Sequence, residues 1–318
     1  MGYFRFKSTS IMNYYSLISS MSKGGSSQLL LDVYPNAIGA YSLCKLRSAY
    51  TGYAVRVRRS SDNTSQDIGF VNNVLDTTSL LSFVGANYGF VSIWYDQSGN
   101  AYNFEQTTLD YQPGIVSAGS LLTKNSKPTV VFDGLSDFMS VPSSLSSFSF
   151  LHKTGKSFIS AVGYNRVANE GFILCNNNGT SANIGYFLTT LNTSNVRNFT
   201  TNGNAGLALA TVSNQTVTNP LTTNSLFLIN DDTDNGNATA LNRSKIYVNN
   251  GSALSLNVLT NSPSTANATA DLTIGSKSGT AKFSYYDGGV SQLIIYNTDQ
   301  SSNRAGISSN INSFYSIY

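Results

Sequence analysis

The chain has 318 residues, 41% hydrophobic and 12% aromatic, enough apolar surface for one large core or two modest ones. Only 11% are Asp, Glu, Lys or Arg, against roughly 25% in a typical soluble domain. With 19 basic against 16 acidic residues the net charge is +3, too weak and too scattered to track phosphates, so no nucleic-acid partner is expected.

No run of about 18 to 20 apolar residues is present, so no membrane span is expected either. The single histidine, His152, allows a Ser-His-Asp or Cys-His triad only with itself as base, and with Cys44 and Cys175 it makes no zinc cage of the usual kind. The two cysteines suffice for one disulfide, but their low density favours free, buried thiols. Glu105 and Glu170 are the only glutamates, so long helices laced with Glu-Lys pairs are not expected. A surface made of Ser, Thr and Asn resembles that of extracellular adhesins, secreted glycan-active proteins and virion surface proteins.

In chain order, residues 1–27 close on Lys23-Gly24-Gly25-Ser26-Ser27, a Gly/Ser joint that marks an N-terminal attachment arm. Arg5 and Lys7 precede apolar residues in the manner of a signal peptide. Asn13, Ser16, Ser19 and Ser20 interrupt that apolar stretch, which argues against classical secretion. Residues 28–318 read as one domain. A strand is predicted over 29–33 and an amphipathic helix over 37–50, where Ala37, Ala40, Tyr41, Leu43, Cys44 and Leu46 recur at helical intervals before Gly52. Residues 54–59 alternate Val55 and Val57 with Arg56 and Arg58, a half-buried strand. Asp76 is placed to cap a short helix through Leu80, Leu81 and Phe83.

Beyond Phe90 the pattern becomes short strands between turn clusters, at 90–95, 129–132, 138–141, 157–162, 172–175, 184–189, 225–229, 245–248, 271–274 and 290–296. Strands so numerous predict a mainly β chain, a two-sheet antiparallel jelly-roll sandwich with a few peripheral helices. One of these helices is expected within 301–318, where Ile307, Ile311, Phe314 and Tyr315 repeat at helical spacing, packed across the sandwich edge.

Several blocks carry a resemblance. They are Tyr41-Ser42-Leu43-Cys44-Lys45-Leu46-Arg47-Ser48, Val55-Arg56-Val57-Arg58-Arg59, Trp94-Tyr95-Asp96-Gln97-Ser98-Gly99, Gln112-Pro113 and Phe132-Asp133-Gly134. In order and spacing they resemble the N-terminal half of the α-L-arabinofuranosidase B catalytic domain, a concanavalin A-like sandwich, and especially its shorter bacterial and bacteriophage relatives. The resemblance implies a retaining glycosidase fold with a carboxylate nucleophile and a carboxylic acid/base in the C-terminal half, roughly 5 Å apart. In the matching segment 272–279, Lys277 stands where the acid/base aspartate is implied. No nucleophile glutamate aligns, because Glu170 is the only glutamate after Glu105. The catalytic pair is missing.

Candidate sites follow from residue types. Asp96 follows a strand in Tyr95-Asp96-Gln97-Ser98-Gly99 and suits either a sugar hydroxyl or a structural clasp, through an Asx-turn or a pairing with Arg56 or Arg58; the clasp is preferred. Asp231, Asp232 and Asp234 put oxygen ligands in one predicted loop, the raw material for Ca2+, but without EF-hand spacing, so a solvated turn is preferred. Asp133 and Asp137 flank Gly134 as turn-forming residues. For glycan contact, an aromatic platform and planar polar groups are offered by Tyr186 with Asn176, and by Tyr285, Tyr286 and Asp287; ordinary sandwich core competes with that assignment. Trp94 reads as core and His152 as an exposed strand end.

The expected function is that of a non-catalytic virion surface protein, a bacteriophage spike, fibre or capsid decoration. Its arm would meet other virion proteins and its lectin-like loops would meet host cell-surface glycans, in a homo-oligomer. The alternative is a secreted arabinofuranosidase-like retaining hydrolase using Glu170 with Asp271 or Asp287. A third expectation is a purely architectural protein.

Overall fold

The computed structural model describes residues 28–167, 169–177, 183–192, 195–202, 210–211, 221–239, 242–255, 262–278, 282 and 284–318. The predicted arm, 1–27, lies outside the described residues.

Two antiparallel layers face each other across one core. The first runs, in hydrogen-bonded order, through Asn195–Asn202, Ile184–Asn192, Gly171–Cys175, Thr273–Ile274, Met139–Ser140, Phe104–Glu105, Gly89–Trp94, Val55–Arg59 and Ser65–Ile68. The second runs through Leu254–Ser255, Ser244–Val248, Phe227–Asp234, Lys156–Asn165 and Asp287–Tyr296. The far edge of that last strand is shared by Gly39–Ser42 and Val130–Asp133. Gly114–Ser117 joins the layers, pairing with Val130–Asp133 on one side and Gly89–Trp94 on the other. The chain is the mainly β sandwich that its strand pattern predicts.

The main core lies between the layers. Ile173, Leu174 and Leu188 of the first layer meet Ile159, Ala161, Ile229, Leu293 and Ile295 of the second. The second layer is apolar on its outer face as well: Phe158, Val162, Leu228, Ile294 and Tyr296 point away from that core and are covered by Ile307, Ile311 and Tyr315 of the helix Arg304–Tyr315 and by Leu30 and Leu31 of the helix Leu30–Val33. Strands buried on both faces lose the alternation of a half-buried strand. The helix within 301–318 forms as predicted, but it lies on this outer face and not across an edge. Burying each of its isoleucines contributes about 1.5–3 kcal/mol.

Local predictions meet the structure unevenly. Asp76 caps the helix Thr77–Val84, its Oδ1 accepting from the Ser79 N–H at 3.0 Å. The predicted strand at 29–33 is instead a short helix, and the helix predicted over 37–50 does not form. Gly39–Ser42 is a strand whose four residues are all buried, so the helical spacing there records burial on both faces of a sheet. His152 is buried, not exposed; its Nε2 faces the Ala266 carbonyl at 3.0 Å and burial lowers its pKa. Trp94 is core, and Cys44 and Cys175 are free and buried. No helix among the described residues is long and apolar enough to cross a membrane.

Candidate functional site

At one end of the sandwich, where the layers part, a cleft of about 350 Å³ is lined by Asp133, Asn165, Glu170, Thr190, Tyr285 and Asp287. They lie at or near the ends of five strands or in the turns beside them, Tyr285 and Asp287 sharing one. Asp133 closes the strand Val130–Asp133 and lies directly opposite Asp287, the first residue of its neighbour. Asn165 ends the strand Lys156–Asn165, and Glu170 immediately precedes Gly171–Cys175.

Asp133 is bound into its own turn. Its Oδ1 accepts the N–H groups of Leu135, Ser136 and Asp137 at 2.8–3.0 Å and its Oδ2 accepts the Ser136 hydroxyl at 3.1 Å. Burial pushes its pKa up, but these bonds outweigh burial and leave it below the usual aspartate value. Asp137 returns the contact by accepting the Asp133 N–H at 2.9 Å. Burial first, and then the Asp133 charge, push Asp137 up to about 7. The turn needs Gly134: its φ is +78°, and a Cβ there would lie 2.6 Å from the Asp287 Cβ.

Asp287 is held from the other wall. Arg166 Nε donates to Asp287 Oδ1 at 2.5 Å, while Arg166 Nη2 donates to the Phe132 carbonyl at 2.9 Å. Tyr286 is buried beneath the cleft, its hydroxyl donating to the Tyr164 carbonyl at 2.9 Å. Tyr285 stays partly exposed; burial, then Tyr111 and Asp133, raise the pKa of its phenol. Leu135, 77% exposed, forms the rim.

The structure separates the residues singled out from sequence. Tyr285 and Asp287 reach the cleft, and Tyr286 forms part of its floor. Tyr186 and Asn176 are sealed in the interior. The Tyr186 hydroxyl donates to Asp231, and Asn176 Oδ1 accepts the Tyr186 N–H at 2.7 Å, so neither is presented to a glycan. Asp231, Asp232 and Asp234 do not form a loop: they belong to the strand Phe227–Asp234, where successive side chains point to opposite faces. Asp231 points inward, bonded to Tyr186 and to Asn198 Nδ2 at 2.7 and 2.9 Å. Asp232 sits opposite Lys245, and Asp234 accepts from Asn237 at 3.0 Å. The solvated turn preferred for these residues is therefore corrected to a strand, and no group of three or more His, Cys, Asp or Glu that could hold a metal occurs among the described residues.

Asp96 forms its clasp by accepting backbone N–H groups, as in an Asx-turn, and not through Arg56 or Arg58. Asp96 binds the N–H groups of Ala40, Ser98 and Tyr102 and the Ser98 hydroxyl. Arg56 pairs with Asp67, and Arg58 with Gln112 and Asn63. Asp271 accepts from the Ser144 N–H at 2.6 Å, away from the cleft. Lys277, at the implied acid/base position, places its ammonium 5.4 Å from the centre of the Phe172 ring.

No protein-family model matches the chain, and no curated protein does. Among solved structures, a family 54 α-L-arabinofuranosidase soaked with a cyclic sulfate inhibitor aligns with 89% of this chain and 64% of its own, at 13% identity and a TM-score of 0.58. The likeness is one of fold. An arabinofuranosidase complexed with arabinofuranosyl-α-1,2-xylobiose aligns over the same shares at 14% identity and a TM-score of 0.55. The chain spans less than two thirds of the length of these arabinofuranosidases. A sialidase CBM40 from Ruminococcus gnavus bound to α2,3-sialyllactose aligns with 57% of this chain and 95% of its own at 11% identity, with a TM-score of 0.44 that is too low to equate their parts.

Proposed function

We propose that the chain is a non-catalytic carbohydrate-binding sandwich whose ligand enters the cleft beside Tyr285 and Asp287. One observation carries this reading: the cleft offers an aromatic side chain, amides and carboxylates together, while Asp133 and Asp287 are already engaged with their own partners. A retaining hydrolase needs a nucleophile and an acid poised near neutrality. Asp133 is bound into its turn and Asp287 to Arg166, so neither is at liberty to complete a pair with Glu170. The carboxyl of this corner that is pushed up to about 7, Asp137, lies sealed behind the turn and not on the cleft wall. Hydrogen-bonding groups fixed in place by their own partners suit recognition of hydroxyls at low ordering cost.

The setting we propose, from the sequence resemblance to bacteriophage proteins, is a virion surface contacted through residues 1–27, with a secreted protein as the alternative. The test is calorimetric titration with neutral oligosaccharides, arabinofuranosyl-α-1,2-xylobiose among them, alongside incubation with 4-nitrophenyl α-L-arabinofuranoside. Saturable binding without nitrophenol release is expected. Release that Glu170→Gln abolishes would make the protein a hydrolase, and no binding to any glycan would make it architectural.

A further inference from the structure

Asn165 is 2% exposed and lines the cleft, yet neither its Oδ1 nor its Nδ2 has a hydrogen-bond partner among the described residues. Its backbone is secured: it sits opposite Gly288 in the sheet, and its carbonyl accepts from the Asn224 N–H at 2.7 Å. The preceding Tyr164 points to the outer apolar face, so the Asn165 side chain points inward, into the cleft. Burying an amide with both ends unpaired is costly, and a leucine, with the same branching and number of heavy atoms, would occupy the position without that cost. The position gives up stability to hold a donor and an acceptor side by side at the cleft floor.

We propose that Asn165 is the specificity-determining residue of the cleft and that the ligand is a neutral sugar residue inserted end-on between the sheets. This rests on the carbohydrate-binding reading above. The Asn165 amide N–H donates to one sugar hydroxyl while its carbonyl accepts from the adjacent one, a two-point contact that a vicinal diol satisfies and a lone hydroxyl does not. Tyr285 offers its ring to the apolar face of the sugar. Charge sets the other half of the selection. Asp133 and Asp287 both line the cleft; Arg166 offsets Asp287, while Asp133 is held by N–H groups and a hydroxyl that carry no net charge. A sugar bearing a carboxylate would enter a negative cavity and lose its hydration there. Sialic and uronic acids are thereby excluded.

The test uses the full chain on a panel of neutral and acidic glycans, with α2,3-sialyllactose among the acidic ones, followed by titration of the best neutral binder against wild type and Asn165→Leu. Expected are binding of neutral glycans alone, at least tenfold weaker binding by Asn165→Leu, and a melting temperature of that variant equal to or above wild type. Wild-type affinity in Asn165→Leu, or equal binding of acidic glycans, overturns the proposal while leaving carbohydrate binding intact. If wild type binds no glycan, both fall. Should Asn165→Leu fail to fold, the side-chain amide resonances of Asn165 in wild type decide: a shift on saturation with the neutral glycan supports the contact, and no shift overturns it.

Discussion

Replacing Asp96 tests how the N-terminal part of the sandwich is held together. Its side chain is 4% exposed and collects the Ala40 N–H at 2.8 Å, the Ser98 N–H at 2.9 Å, the Ser98 hydroxyl at 2.7 Å and the Tyr102 N–H at 3.1 Å. A hydrogen bond to a charged acceptor contributes about 1.5–3 kcal/mol, and a buried donor left without its partner costs about 1–3 kcal/mol. Ala40 is fully buried, so its N–H has no water to turn to in Asp96→Ala; Ser98 and Tyr102 lie nearer solvent and recover part of their loss. These bonds share one carboxylate and do not add, which sets the expected loss for Asp96→Ala at about 3–5 kcal/mol. Asp96→Asn keeps Oδ1 for Ala40 and the Ser98 N–H but turns an amide donor toward the Tyr102 N–H, and is expected to lose about half as much. Arg56→Ala breaks a bond to Asp67 whose arginine side chain is 43% exposed, and is expected to cost about 0–1 kcal/mol. Urea denaturation followed by tryptophan fluorescence measures all three. A loss under about 1 kcal/mol for Asp96→Ala, or one no larger than that of Arg56→Ala, would refute the clasp as the anchor.

The remaining predictions concern charge, backbone and thiols. Burial raises Asp231 to about 7 and Asp137 to about 7, above the unfolded aspartate value, so the folded chain binds more protons than the unfolded one between about pH 4 and 7 and its stability falls as pH rises through that window. Asp231→Asn is expected to flatten that slope, by up to about 1.4 kcal/mol per pH unit, in denaturation curves taken from pH 4.5 to 8; an unchanged slope would show that the buried carboxyl does not titrate there. Gly134→Ala forces a side chain onto a φ of +78° and against Asp287; a loss of about 2–4 kcal/mol is expected, with weakened glycan binding as the cleft wall shifts, and retention of both would contradict the turn geometry. Cys44 and Cys175 are buried thiols whose pKa values burial raises, so a thiol reagent should titrate none in the native protein and two after unfolding.

The strands were legible because β-branched and aromatic runs between Gly, Asn and Ser clusters survive as strands whatever packs on them. Segment 37–50 was not, for a physical reason: Gly39–Ser42 is covered by the main core on one side and by the outer helix on the other, so its apolar residues report depth and not a helical face. The same ambiguity hid the fate of Tyr186, whose neighbourhood of Asn and Phe reads equally as binding rim or core; the inward Asp231 that receives its hydroxyl lies in a distant strand. Tyr285 and Asp287 were legible as a local pair of sugar-contacting types. Asp133, Asn165 and Glu170 meet them only because separate strands end at the same place, and no local spacing encodes that. The unpaired state of Asn165 is a property of three-dimensional neighbours alone.

The strand Asp287–Tyr296 is central to the second layer, paired along one edge with Lys156–Asn165 and along the other with Gly39–Ser42 and Val130–Asp133. Each of those partners lies far from it in sequence, so the layer assembles only after very long loops have closed. Chains whose contacts are this non-local fold slowly and pass through states with open strand edges and bare apolar faces. Until this strand docks, neither core is complete, and the outer helix has no surface on which to settle. Refolding yield should therefore depend on protein concentration well before the final stability of the fold becomes limiting.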